Sequence, residues 1–424
     1  MNEKIMNINK PIFNEDRLHS HMERHKIDLV LATSRQNVGY LSNWLTHCWN
    51  WNWPFWFEVD KEYDGGDYNQ FVGVPLDSNI DSFFVTYYHH TESVKEKSWI
   101  KDVRGAGRTG YIPRDGLESV LLDPLHATTH IDCVVNAIKD RKLEKATIGV
   151  EQARISYSIF TELKERLPDA KFVDAFELLM DVRAVKSSEE IAKLKRAADI
   201  TTLCFEEVIF PMLKDKQATP YEILEKINAT ALRERGYFSF LHIFADTGHV
   251  VDISSTGPKE PVKYNIDPNH KFKDGQLLFC DHGCGYEGYW GDMCRNVVIG
   301  GRSTNSQKRV HQALLDSREA VREAIRPGIK SSELFNIGLK YLDKYNLGPS
   351  LSFFGHGIGL SVHDYPRITA FDHNPLEEGM VISLEPNTEV PGMTMFNLED
   401  TLVVTKDGCE SFSSPTMNID VLAN

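Results

Sequence analysis

The sequence predicts two domains, an α/β domain over residues 1–180 and an α+β domain over 181–424. Three observations carry this division. At 424 residues the chain exceeds what one hydrophobic core usually organises. Its first half alternates short apolar, β-branched runs with helical periodicity. Near residue 187 a helix-start signal opens a stretch of different character.

In the first half, residues 15–26 read as a polar helix, followed by a strand at Ile27-Asp-Leu-Val-Leu-Ala32. Ser82-Phe-Phe-Val-Thr-Tyr87 and Thr147-Ile-Gly-Val150 are further strands, and Ile155–Leu167 has the apolar spacing of a helix. In the second half, Ser187-x-x-Glu190 is a capping-box pattern that starts a long helix running to Met212. Another helix covers about 220–235. Strands follow around 276–281 and 289–299, then helices near 305–326 and 331–346 and a strand-rich end.

Composition narrows the function classes. No stretch approaches the roughly 20 apolar residues of a membrane helix. The polar N-terminus, MNEKIMNINKPIFNEDRLHS, has no apolar signal core. The seven cysteines are scattered and odd in number, with no disulfide framework, so a reducing cytoplasm is the expected location. A formal charge of −14 argues against nucleic-acid partners, which need a basic face.

Five of the seven tryptophans (Trp44, Trp49, Trp51, Trp53 and Trp56) fall within thirteen positions, beside Phe55 and Phe57. Two accounts stand for this segment. It is a satellite core or subunit interface, or an aromatic wall for a flat or cationic ligand, with Trp51 and Trp53 as its contacts.

The chemistry lies in the second half. Hard divalent ions prefer oxygen ligands, and transition ions also accept imidazole. Two such ions side by side repel unless carboxylates bridge them. Asp281 ends the apolar run Gln276-Leu-Leu-Phe-Cys-Asp281, and Asp292 sits in Gly288-Tyr-Trp-Gly-Asp-Met-Cys-Arg295. A turn at His282-Gly-Cys-Gly285 would bring them onto neighbouring strands. His356 lies between glycines in Phe354-Gly-His-Gly-Ile-Gly-Leu360, Glu385 ends Met380-Val-Ile-Ser-Leu-Glu385, and Glu399 is embedded in Phe396-Asn-Leu-Glu-Asp-Thr-Leu402. Carboxylates within apolar strands are costly unless paired or metal-bound. The five residues are therefore candidate ligands for two divalent ions. Oxygen-rich ligation suits Mn²⁺, with Fe²⁺, Co²⁺ or Zn²⁺ as alternatives. Cys280, Cys284 and Cys294 crowd the same hairpin, but alternate strand faces argue against a zinc–thiolate site made from them.

These segments resemble the metal-dependent peptidases of the pita-bread fold: methionine aminopeptidase, aminopeptidase P, Xaa-Pro dipeptidase, and their non-peptidase relative creatinase. The matching motifs are Asp-x10-Asp at 281 and 292, Gly-His-Gly-Ile-Gly-Leu-x-Val-His at 355–363, Gly-Met-Val-Ile-Ser-Leu-Glu-Pro at 379–386, and Leu-Glu-Asp-Thr-Leu-Val-Val-Thr-Lys-Asp-Gly at 398–408. Asn37-Val-Gly-Tyr-Leu-Ser-Asn43 and Val182–Glu190 look like the creatinase and prolidase branch. The resemblance implies a creatinase-like N-terminal domain, a pita-bread catalytic domain, and a homodimer. It also implies a water activated by two metals per subunit, with Asp292 and Glu399 bridging. Glu385 would shuttle the proton to the leaving nitrogen of a small peptide, and His363 would contact substrate or the tetrahedral intermediate.

Three departures bear on substrate. Tyr264, beside Lys263, stands where the peptidases carry a histidine ahead of the first metal aspartate; His242, His249 and His270 are possible substitutes. Asn397 replaces an arginine before the last glutamate, and Cys294 and Asn296 replace threonines after the second aspartate. The first expectation is an Xaa-Pro dipeptidase or aminopeptidase P-like amide hydrolase. The second is a hydrolase or lyase for a small non-peptide metabolite, such as one with a cationic head. A third class is a binding protein on this fold that has lost catalysis.

Overall fold

The computed structural model describes residues 10–44, 70–106, 129–245, 269–390 and 393–423. The chain divides into two compact units, Met1–Arg183 and Ala184–Asn424.

In the first unit, α1 (Glu15–His25), β1 (Leu29–Ala32) and α2 (Arg35–Ser42) precede β2 (Phe71–Pro75) and β3 (Phe83–Tyr87). They are followed by α3 (Thr91–Lys97), β4 (Asp102–Ala106), α4 (His130–Asp140), β5 (Thr147–Val150), α5 (Tyr157–Arg166), β6 (Lys171–Asp174) and α6 (Phe176–Ala184). The strands form a six-stranded sheet in the order β4-β3-β2-β1-β5-β6. Pairing is antiparallel across β1-β2-β3 and parallel elsewhere. Leu29, Leu31, Phe71, Phe83, Ile148 and Val150 bury one face against Val134 and Ile138 of α4. The Asn37 motif has a structural role in this unit. Buried Glu151 accepts from the backbone amides of Thr33 and Ser34 and from Asn37 Nδ2, while Asn37 Oδ1 accepts from Arg183. Trp44 packs edge-on against Phe84 and donates from its indole to Ser93. It is core here; Trp49, Trp51, Trp53 and Trp56 lie outside the described residues.

In the second unit, α7 (Ser188–Cys204) starts at the expected capping box, with Ser187 and Glu190 each bonding the other's backbone amide. The long helix predicted to Met212 is interrupted. A π-helical turn, Phe205–Ile209, separates α7 from α8 (Phe210–Asp215). Then come α9 (Pro220–Arg233), β7 (Tyr237–Ala245), β8 (Leu277–Tyr286), β9 (Tyr289–Trp290), β10 (Met293–Val298), α10 (Asn305–Ala324) and α11 (Ser331–Asp343). The end comprises β11 (Phe353–Gly357), β12 (Asp364–Thr369), β13 (Val381–Leu384), β14 (Asn387–Thr388), β15 (Phe396–Asn397), β16 (Asp400–Val404) and β17 (Cys409–Ser411). One sheet runs β10-β8-β7 with β9 on β8, another runs β12-β11-β13-β16-β17, and β14 pairs β15. The stripe of α10 and α11 carrying Val310, Leu314, Val321, Leu334 and Leu342 shares a core with Ile382, Leu384 and Leu402 of the second sheet.

A further local expectation is corrected. The hairpin does not turn at His282–Gly285; β8 continues to Tyr286, and the turn is Glu287-Gly288, both with positive φ. Two consecutive left-handed residues match the right-handed twist of the flanking strands, and glycine at the second is the favoured choice.

Arg295 ties the two sheets together. Its guanidinium, 1% exposed, donates to the carbonyls of Cys294, Glu399, Pro415 and Thr416 and pairs with Asp400. Arg318 of α10 reaches the other oxygen of Asp400 at 2.7 Å. Removing one member leaves buried charge uncompensated, at a cost of about 3–5 kcal/mol. Asp400→Ala is therefore expected to lower stability by about that amount in urea unfolding. A loss under about 1 kcal/mol, the range of exposed ion pairs, would show that the cluster contributes little.

Candidate metal centre

Asp281 is on the central strand β8, opposite Cys294 of β10 and His242 of β7. Asp292 lies in the step between β9 and β10. Its carbonyl accepts from the hydroxyls of Ser383 and Thr401, so the second sheet fixes the backbone that presents it. His356 is on β11, paired with Ser383 of β13. The glycines beside it are required by close approach. A Cβ at 355 would lie 2.6 Å from the Ser383 carbonyl, and one at 357 would lie 1.8 Å from that of Tyr365. Glu385 directly follows β13, where its amide donates to Phe354 of β11. Glu399 was expected inside a strand. It occupies the break between β15 and β16, with its amide donating to the carbonyl of Cys294.

These five side chains face one another. His356 Nε2 is 3.2 Å from Glu385 Oε1, 3.7 Å from Asp292 Oδ2 and 3.8 Å from Glu399 Oε1. Two overlapping sets have ligand atoms within 4.8 Å of one another: His356, Glu385 and Glu399, and Asp281, Asp292 and Glu399. His356 Nδ1 donates to the carbonyl of Gly357, which leaves the Nε2 lone pair directed at the carboxylates.

The electrostatics are those of a site short of positive charge. Asp292 and Glu399 are buried, and both carboxyls are pushed well above their usual range. Burial is the main cause in each, followed for Asp292 by Asp281 and Glu385, and for Glu399 by Asp292, Glu385 and Asp281. Oδ1 of Asp281, Oε1 of Glu385 and Oε1 of Glu399 are buried and accept no hydrogen bond among the described residues. Buried acceptors left in this way call for an explanation, and a cation supplies one.

Neighbouring side chains complete the site. The His363 ring centroid is 4.1 Å from that of His356. Desolvation and His356 push its pKa down to about 4. Asn397 Nδ2 donates to Glu385 Oε2 at 3.0 Å, and its amide donates to Asn296 Oδ1. A neutral amide therefore stands against Glu385, at the position where the peptidases it resembles carry an arginine. Of the substitutes for the missing histidine, His242 Nδ1 is 3.4 Å from Asp281 Oδ2, and the contact raises the histidine's pKa. His270 instead faces Gln276, and His249, Lys263 and Tyr264 lie outside the described residues. The position of His242 follows from the β7–β8 register, which is invisible in the chain alone.

Comparison with known proteins agrees with this architecture. The model of the Creatinase/Prolidase N-terminal domain matches residues 16–185, and that of metallopeptidase family M24 matches 192–406. The chain is 27% identical over 316 residues to an Xaa-Pro dipeptidase of Pyrococcus furiosus, covering 71% of this chain and 86% of the relative. It is 24% identical over 404 residues to an Xaa-Pro dipeptidase of Lactobacillus helveticus, covering 95% and 99%. Among solved structures, an Xaa-Pro dipeptidase from Bacillus anthracis superposes with a TM-score of 0.72 at 21% identity, covering 95% of this chain and 98% of that one. With the M24 model spanning just over half its length, the chain belongs to metallopeptidase family M24 and is a metallohydrolase.

Proposed function

We propose that the protein hydrolyses the amide bond of a small peptide of the Xaa-Pro type, using two divalent cations held by Asp281, Asp292, His356, Glu385 and Glu399. The observation that carries this reading is the convergence of four carboxylates and one directed imidazole, three of whose buried oxygens accept no hydrogen bond among the described residues. Two ligand sets sharing Glu399 suit two adjacent ions, and Asp292 lies beside both. Oxygen-rich donors favour Mn²⁺ over softer ions.

When bound, such a pair polarises a carbonyl oxygen and makes water nucleophilic near neutral pH. The chain's own groups supply the proton chemistry. The Glu385 carboxylate takes a proton from the attacking water and returns it to the leaving nitrogen, so that water and amide give acid and amine. Asn397 donates to Oε2 of that carboxylate and so fixes its orientation. His363 donates a hydrogen bond to the developing oxyanion. The Xaa-Pro class is supported by the dipeptidases whose sequences align across most of the chain. The reading also takes the chain as a homodimer.

One observation favours a second reading, a small non-peptide metabolite. Asn397 places a neutral donor against Glu385 and leaves no fixed cation there to hold a peptide carboxylate. This second reading takes Trp51 and Trp53, with Lys263 and Tyr264, as its candidate substrate contacts.

Purified enzyme loaded with Mn²⁺ is expected to release proline from Xaa-Pro dipeptides, with activity lost in Glu385→Ala. No turnover across a broad Xaa-Pro panel with the metals in place would remove the peptidase reading and leave the metabolite one. His363→Ala is expected to lower kcat by about 10²–10³-fold, as loss of one oxyanion donor does, with metal content unchanged; an unaltered kcat would rule out that role. Because ligands that bind only the folded state stabilise it, Mn²⁺ at about 100-fold over its Kd adds about 2.7 kcal/mol. Thermal denaturation is expected to shift upward by several degrees with Mn²⁺, and the shift is expected to vanish in Asp292→Asn and Glu399→Gln. An identical shift in those variants would place the ions elsewhere.

A further inference from the structure

We propose that Cys204, His282 and Cys284 form a separate site for a soft divalent cation, Zn²⁺ foremost, on the face of β8 opposite Asp281. Successive residues of a strand point to opposite faces. His282 and Cys284 therefore share one side of β8, and Asp281 presents its carboxylate on the other. Cys204 comes from the packed helix. It is the last residue of α7, immediately before the π-helical turn at Phe205–Ile209, and such turns recur at functional sites. All three residues are fully buried.

The geometry is that of a ligand set. Cys204 Sγ and Cys284 Sγ are 4.0 Å apart, Cys284 Sγ is 3.4 Å from His282 Nε2, and the three ligand atoms lie within 4.8 Å of one another. Tetrahedral Zn²⁺, with Zn–S of about 2.3 Å and Zn–N of about 2.0–2.1 Å, places its sulfurs about 3.8 Å apart and sulfur about 3.5 Å from nitrogen. The observed edges are close to both. The imidazole is also oriented for the task. His282 Nδ1 donates to the carbonyl of Phe240 at 2.7 Å, which fixes the tautomer and turns the Nε2 lone pair on the sulfurs. This is the outer hydrogen bond that metal-binding histidines ordinarily make.

Charge and softness select the ion. Two thiolates and a neutral imidazole cancel the charge of Zn²⁺, so the complex can be buried without net charge. Thiolates favour zinc over manganese, whereas the carboxylates across the strand have the opposite preference. The fourth position falls to water or to the carbonyl of Ile227, which is 3.9 Å from Cys204 Sγ. Cys280 and Cys294 stay outside the group, so the site is not the three-cysteine hairpin cluster that strand alternation had argued against. A cation here would tie α7 to β8 directly behind Asp281.

The test is protein produced in cobalt-supplemented medium, so that the buried site fills during folding, and then dialysed against Mn²⁺. Cobalt bound by thiolate gives a near-ultraviolet charge-transfer band, which carboxylate and imidazole ligands do not. The expected result is that band, with about one cobalt retained per chain. Cys204→Ser and Cys284→Ser are each expected to lose it while Cys280→Ser retains it, with folding checked by circular dichroism. Absence of the band in the unsubstituted protein overturns the proposal, whatever the variants do. Its persistence in folded Cys204→Ser or Cys284→Ser does so as well, as does a mass two hydrogens short, with Cys204 disulfide-bonded to Cys284 in the isolated protein.

Discussion

Like charges held together in a dry interior are the constraint on which the second unit turns. Two carboxylates 4 Å apart repel by about 4 kcal/mol at an effective dielectric of 20, and here four converge around one imidazole. Asp292, His356, Glu385 and Glu399 are all buried, so solvent does little to relieve the crowding. No basic side chain of the described residues is ion-paired with Asp292, Glu385 or Glu399 apart from His356. Such an arrangement resists folding unless protons or cations enter it. Under the proposed reading, divalent ions convert the repulsion into ligation, and metal binding and stability become linked quantities.

The rest of the unit holds these groups in place against that repulsion. Asp281 and His356 stand within strands, Glu385 directly follows one, and Asp292 and Glu399 lie in breaks between strands, where the backbone is fixed by a neighbour. Ser383 and Thr401 bond the carbonyl of Asp292, Cys294 receives the amide of Glu399, and Phe354 receives that of Glu385. Beneath them the Arg295–Asp400–Arg318 cluster closes the seam between the sheets. Here the single carboxylate of Asp400 is met by two guanidiniums from within the chain. Strand β8 divides two chemistries, with hard oxygen donors on one face and thiols with an imidazole on the other.

Much of this was legible in the chain because the signals are local. The capping box at Ser187 and Glu190, the apolar runs ending at Asp281 and Glu385, and the glycines around His356 each declare themselves within a few residues. The residues that the motifs nominate do meet in space. What escaped was non-local or depended on small backbone adjustments. The π-helical turn after Cys204 breaks a periodicity that reads as one helix. Gly283 and Gly285 suggested a turn, but the strand continues and the left-handed pair Glu287-Gly288 makes it. Glu399 sits in a gap that its β-branched neighbours disguise. His242 beside Asp281, Asn397 against Glu385, and Cys204 beside Cys284 are all products of register and helix packing, which spacing cannot supply. The substrate is less legible still, because a pocket's preference depends on groups brought from several segments, not on the ligand set alone.

The most direct measurement is anomalous X-ray scattering from crystals of the Mn²⁺-loaded protein. The account predicts two manganese peaks about 3.5–4 Å apart, one against Asp281 and Asp292 and the other against His356 and Glu385, with Glu399 between them. Manganese elsewhere, or none at full loading, would contradict it.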